Sequence, residues 1–157
     1  MRFFLRLVAV FIALITISGC VGAMPEYKSS QSSYIILKTP KLAYADMGFV
    51  SKASDEVKVE IYSSGQSLVR LRVTANQVCM SSLECMDAKR FNKEYLGASY
   101  PKDTLYRVFK QEPIFAGKNK KALADGFMQK IGSIVYKVEG KKTAFFDKSR
   151  GVKIEIK

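Results

Sequence analysis

Hydrophobic residues fall on alternate positions in two neighbouring stretches of the chain. In VKVEIYS (57–63), Val57, Val59 and Ile61 share one side, and Lys58, Glu60 and Tyr62 the other. In SLVRLRVTANQV (67–78), Val69, Leu71 and Val73 form the apolar set, with Arg70, Arg72 and Thr74 opposite. Successive side chains of an extended chain point to opposite faces, so a period of two marks a half-buried strand. The Ser63-Ser64-Gly65-Gln66 segment between them predicts a turn, and the whole reads as a β-hairpin. Alternation returns near the C-terminus in SIVYKVE (133–139), TAFFD (143–147) and VKIEIK (152–157), separated by Gly140-Lys141-Lys142 and by Lys148-Ser149-Arg150-Gly151. These predict a three-stranded meander. One greasy and one wet face imply a sheet that packs on a single side.

Two other patterns complete the outline. SYIILK (33–38) is a short apolar run before Thr39-Pro40, which predicts an edge strand stopped by the proline. The middle of the chain changes period. Ser81 followed by Glu84 fits a capping box, and Met86, Phe91, Tyr95 and Leu96 recur at near-helical spacing before Gly97. KDTLYRVFKQ (102–111) places Leu105, Val108 and Phe109 at helical spacing, with Asp103 as cap and Pro113 beyond the end. KALADGFMQKI (121–131) fits either class, with Gly126 breaking a helix. Strands, a helical insert and strands again predict a mainly β fold: an immunoglobulin-like β-sandwich variant carrying one or two short helices mid-chain. The alternative is an α+β fold with an antiparallel sheet.

The first residues follow another logic. Arg2 and Arg6 precede an apolar run from Leu7 to Ile17, eleven residues long, where a bilayer span needs roughly 20. Positive residues, a short apolar run and then small residues predict a secretory signal. An ordinary signal with cleavage after Ala23 is one reading. Ile17-Ser18-Gly19-Cys20 resembles the bacterial lipobox, and that resemblance implies cleavage between Gly19 and Cys20 and lipidation of Cys20 with palmitate-type chains. Each buried methylene contributes about 0.8 kcal/mol, so several chains hold a domain on a membrane durably. Val21 in place of Asp implies, by the same resemblance, sorting to the outer membrane. The expected organisation is a signal peptide over 1–19, a lipidated N-terminus and flexible serine-rich tether over 20–33, and one domain over 34–157.

With its lipobox, basic one-domain body and closing TAFFDKSRGVKIEIK, the chain resembles small immunoglobulin-like envelope lipoproteins of the Campylobacter and Helicobacter group. The resemblance implies an envelope location and a sandwich fold, and carries little about activity. The sequence lacks the Trp that antibody-type sandwiches pack in their cores.

Charge and candidate chemistry narrow the function. The 26 basic residues less Arg2 and Arg6 leave 24 against 14 acidic ones. That surplus attracts anionic surfaces in general. The lysines are scattered, with short clusters at Lys118-Asn119-Lys120-Lys121 and Lys141-Lys142. No RNA-recognition or zinc-finger signature accompanies them, so no nucleic-acid partner is expected. With Cys20 lipidated, Cys79 and Cys85 remain as an even pair in an oxidising compartment, which predicts a structural disulfide. Its short loop corresponds to roughly 2 kcal/mol on the chain-entropy model. The chain has no histidine, which removes Ser-His-Asp and Cys-His catalysis and the usual zinc sites. Ser99-Tyr100-Pro101-Lys102 matches the S-x-x-K acylase pattern, but Pro101 suits a helix interior poorly. No catalytic, cofactor or metal residue is assigned.

The sequence therefore leads to a non-enzymatic, lipid-anchored outer-membrane protein, facing the periplasm or the cell surface. It is expected to act through contact with an envelope protein or as a structural component. One alternative is a carrier or sensor of a small apolar or anionic ligand, held in a groove beside the helical insert. Another is an inhibitor or accessory factor of an envelope enzyme.

Overall fold

The structure is a computed structural model and describes residues 25–81 and 84–157. The lipidation and cleavage positions Gly19 and Cys20 lie outside the described residues. Six strands come first: β1 (Ser29–Lys38), β2 (Ala43–Lys52), β3 (Glu56–Ser63), β4 (Gln66–Thr74), β5 (Gln77–Cys79) and β6 (Cys85–Asp87). Helices α1 (Ala88–Tyr95) and α2 (Thr104–Lys110) follow, then a 3-10 turn (Phe115–Gly117). Five strands close the chain: β7 (Lys120–Leu123), β8 (Gly126–Ile131), β9 (Ile134–Glu139), β10 (Lys142–Asp147) and β11 (Val152–Ile156). Among the described residues no helix is long and apolar enough to cross a membrane.

All eleven strands belong to one antiparallel sheet, ordered β6-β5-β4-β3-β2-β1-β11-β10-β9-β8-β7. The chain is mainly β with two short helices inserted mid-chain, as the periodicity predicts. Its sandwich-like enclosure is made by a single ladder curled around the core. The evidence for the curl is that α2 packs against β3 and β4 and also against β10, far away in strand order. Gln111, directly after α2, receives a hydrogen bond from Lys52 Nζ of β2 (2.7 Å) and donates one to the Gly140 carbonyl (3.1 Å). The insert thus runs from one free edge, β6, to the other, β7, and fills the concave side.

The inward set is the alternating set read from the sequence. Val57, Val59, Ile61, Leu71 and Val73 are almost wholly buried, together with Phe145, Val152, Ile154 and Ile156. From the insert, Phe91, Leu96, Leu105, Val108 and Phe109 complete one cluster. Fully burying such a side chain is worth about 1.5–3 kcal/mol, so the sheet stays curled because its concave face and the helices lose water together. Ser64 and Gly65, both with positive φ, make the tight β3–β4 turn. Gly126 admits a close crossing: a Cβ there would lie 2.1 Å from the Val138 carbonyl oxygen.

Three expectations change. SYIILK belongs to a central strand: β1 pairs with β2 on one side and with β11 on the other, Ile35 opposite Ile156. Its neighbour comes from the far end of the chain, and local pattern carries no record of that. β1 also begins at Ser29, so residues 29–33, expected in the tether, are ladder residues; Ser29 pairs with Lys52 and Ser33 with Gly48. The Ser81 hydroxyl does accept the Glu84 amide at 3.0 Å, but a strand follows it. Asp87 caps α1, accepting from the Lys89 and Arg90 amides at 2.8 and 3.3 Å.

Candidate functional site

The β2–β3 ladder covers only residues 48–52 of β2, so its first half, 43–47, pairs with β1 alone. Gly48 is where the strands part. A Cβ at that position would sit 2.0 Å from the Glu60 carbonyl oxygen and 2.9 Å from Ile35 Cδ1, so only glycine permits the approach. Beyond it lies a cleft of about 160 Å³ lined by Leu42, Tyr44, Leu68, Val69, Arg70, Leu71 and Met80.

A β-bulge completes the cleft. The β3–β4 register slips between Ile61 and Tyr62: Ile61 faces Val69 and Tyr62 faces Ser67, which leaves Leu68 as the extra residue. A bulge re-aims a side chain that strict alternation would send to the other face. Leu68 accordingly lines the cleft beside Val69, although it is 49% exposed. Leucine in that position keeps apolar surface in water at the mouth of the cleft.

Cationic groups stand at this cleft. Arg70 lines the cleft and also a second hollow of about 180 Å³, shared with Arg72, Cys79 and Ser81. Glu60 engages Arg70 at 2.9 Å and Lys58 at 3.0 Å. Burial opposes the ionised form of Glu60, but these two cations outweigh it and hold the carboxyl below its usual range. Among the described residues no carboxylate lies within ion-pair distance of Arg72.

The predicted disulfide lies at this site. Cys79 and Cys85 face each other across the β5–β6 pair, with their sulfurs 2.04 Å apart. Met80, directly after Cys79, is one wall of the cleft. The bridge therefore fixes the segment that carries this wall.

Other candidates are not assembled into sites. Ser99 is exposed, and Lys102 gives its ammonium to Asn76 Oδ1 at 2.6 Å, so the S-x-x-K pair is not brought together. Tyr100 instead donates to Asp147 Oδ2 at 2.5 Å. Asp147 Oδ1 accepts from the Ser133 hydroxyl at 2.7 Å and from the Ser149 hydroxyl and amide at 2.7 and 3.0 Å. Burial works against the Asp147 charge, and the hydrogen bonds more than compensate, so its carboxyl is held below its ordinary range. Burial and the adjacent carboxylate push the Tyr100 phenol upward. This cluster ties the helical insert to β10 and leaves no group free to react. On the convex face, Tyr34 and Met47 are cross-strand partners, and Phe49 meets Tyr62 edge-on at 6.0 Å. Tyr34, Met47 and Phe49 are each at least 41% exposed and form an apolar island.

Comparison with known proteins adds no relative: no family model matches the chain, and no curated protein matches its sequence.

Proposed function

We propose that the chain is a non-enzymatic envelope protein, anchored by lipid on Cys20, that carries an acyl chain of an anionic amphiphile in the cleft behind Leu68. The observation that supports this most is the bulge, which turns a half-exposed leucine onto a cleft otherwise walled by Leu42, Tyr44, Val69, Arg70, Leu71 and Met80. A cleft of about 160 Å³ has room for the end of one chain, with the remainder lying over Leu68. Covering the exposed half of Leu68 contributes on the order of 1 kcal/mol. Such shallow binding favours release as much as capture, which suits a carrier.

The test is equilibrium binding of a fluorescent fatty-acyl probe to wild type and Leu68→Asp. A charge in the slot loses the leucine contact and adds a desolvation cost, so affinity falls about tenfold or more, which is 1.4 kcal/mol. Unchanged affinity removes the cleft from the account. The membrane address is tested by labelled palmitate, which enters the wild type and not Cys20→Ala.

A second reading rests on the convex island. Tyr34, Met47 and Phe49 supply the aromatic and Met surface typical of protein contacts. Crosslinking in cells to one envelope protein, lost in Phe49→Asp, favours contact over carriage.

A further inference from the structure

The opposite end of the sheet carries a second constructed feature. Residues 115–119 contain three non-glycine residues with left-handed backbone: Phe115 (φ 48), Ala116 (φ 53) and Asn119 (φ 55). Left-handed backbone is costly for side chains such as Phe, and it persists only where the surroundings over-determine it. Here Gln129 does so. Its fully buried amide accepts from the Ile114 N–H at 2.8 Å and donates to the Ile114 and Lys118 carbonyls at 3.0 and 2.7 Å. Both ends of the left-handed segment are thereby pinned to β8 from the concave side. Asn119 adds a bond from its side-chain amide to the Lys130 carbonyl at 3.0 Å.

On the other face of β8 is a recess of about 340 Å³, lined by Asn119, Lys120, Lys121, Met128 and Lys130. Lys121 and Met128 are cross-strand partners, and Lys130 lies two residues further along the same face. Among the described residues no carboxylate lies within ion-pair distance of Lys121 or Lys130, whereas Lys120, opposite Gln129, holds its ammonium 5.2 Å from the centre of the Phe127 ring. Protecting an open edge such as β7 needs only scattered lysines. It does not need a strained, pinned segment beside two ammoniums, those of Lys121 and Lys130, on the face that carries Met128.

We propose that this recess binds the phosphoryl head group of an anionic phospholipid. The ammoniums supply the countercharge. Met128 and the lysine stems supply an apolar floor for the glyceryl portion, from which a free phosphate ion gains nothing. The site is separate from the cleft behind Leu68 and does not rest on the function proposed there.

The test follows the Met128 methyl carbon by NMR in the full chain, labelled on methionine methyls and solubilised in a nonionic detergent. Its resonance is identified as the one lost in Met128→Leu. Short-chain phosphatidylglycerol is expected to shift it saturably, whereas short-chain phosphatidylcholine and inorganic phosphate leave it in place. Lys121→Gln combined with Lys130→Gln weakens that response at least tenfold. The same charge change at Lys89 and Lys93 on α1 does not. An equal response to inorganic phosphate overturns the lipid assignment. Equal weakening by the α1 pair reduces the effect to overall charge, and no response to any of the three ligands removes the site.

Discussion

Replacing Tyr100 by Phe isolates the contact that fastens the helical insert to the sheet. The ring remains, with its edge-on contacts to Phe115 and Phe145 at 6.2 and 6.1 Å. Only the hydroxyl bonded to Asp147 Oδ2 is lost. Asp147 is 3% exposed, so solvent does little to screen the loss. A hydrogen bond to a charged group contributes about 1.5–3 kcal/mol. Asp147 keeps its three donors from Ser133 and Ser149, so the carboxylate is not orphaned and the cost stays near 2 kcal/mol. For a domain of this size that lowers Tm by about 8 °C at pH 7.

The acid side supplies a sharper discriminator. Asp147 has a folded pKa below its unfolded value of about 3.9. Its contribution is therefore fully present above that unfolded value and is lost as pH falls through the folded pKa. The gap between wild type and Tyr100→Phe should narrow as pH falls from 5 towards the folded pKa of Asp147, read by thermal denaturation across that range. A Tm change under about 2 °C at pH 7 would refute the reasoning. So would a gap of equal size at both ends of the pH range.

Two further perturbations bear on the frame. Changing both Cys79 and Cys85 to Ser removes a constraint on a short loop and should cost about 2 kcal/mol in urea denaturation. Because Met80 loses its anchor, acyl-probe binding should weaken with it; unchanged stability and binding would detach the bridge from the cleft. Gly126→Ala drives a methyl to 2.1 Å from the Val138 carbonyl, while Gly132→Ala meets open space at a φ of +58°. The first should abolish soluble folding and the second cost about 1 kcal/mol, as compared by soluble yield and Tm.

How far the sequence reached depended on whether a signal was local. The β3–β4 hairpin and the C-terminal meander declare themselves, because their inward residues are aliphatic and their outward ones charged. α2 was legible from Leu105, Val108 and Phe109, and the disulfide from an even cysteine pair. β2 was hidden because its outward positions include Met47 and Phe49 while Gly48 and Ser51 are buried. The alternation of greasy and wet is blurred where that strand does more than hold the core. The β7–β8 hairpin was hidden by an Asp125-Gly126 break that fits a helix end equally well. The cleft was not legible at all. Leu68 reads as an ordinary neighbour of Val69, and only the register slip against Ile61 and Tyr62 reveals where it points. The bulge depends on the hairpin register, and the β1–β11 pairing joins distant segments, so hydrophobic alternation alone records neither.

The most direct test of the carrier reading is photocrosslinking of the full chain with a fatty acid bearing a diazirine near its methyl end, followed by peptide mapping. Adducts concentrated on residues 42–44, 68–71 and 80 are the predicted result. Adducts centred on Tyr34, Met47 and Phe49, or spread evenly over the surface, would contradict it.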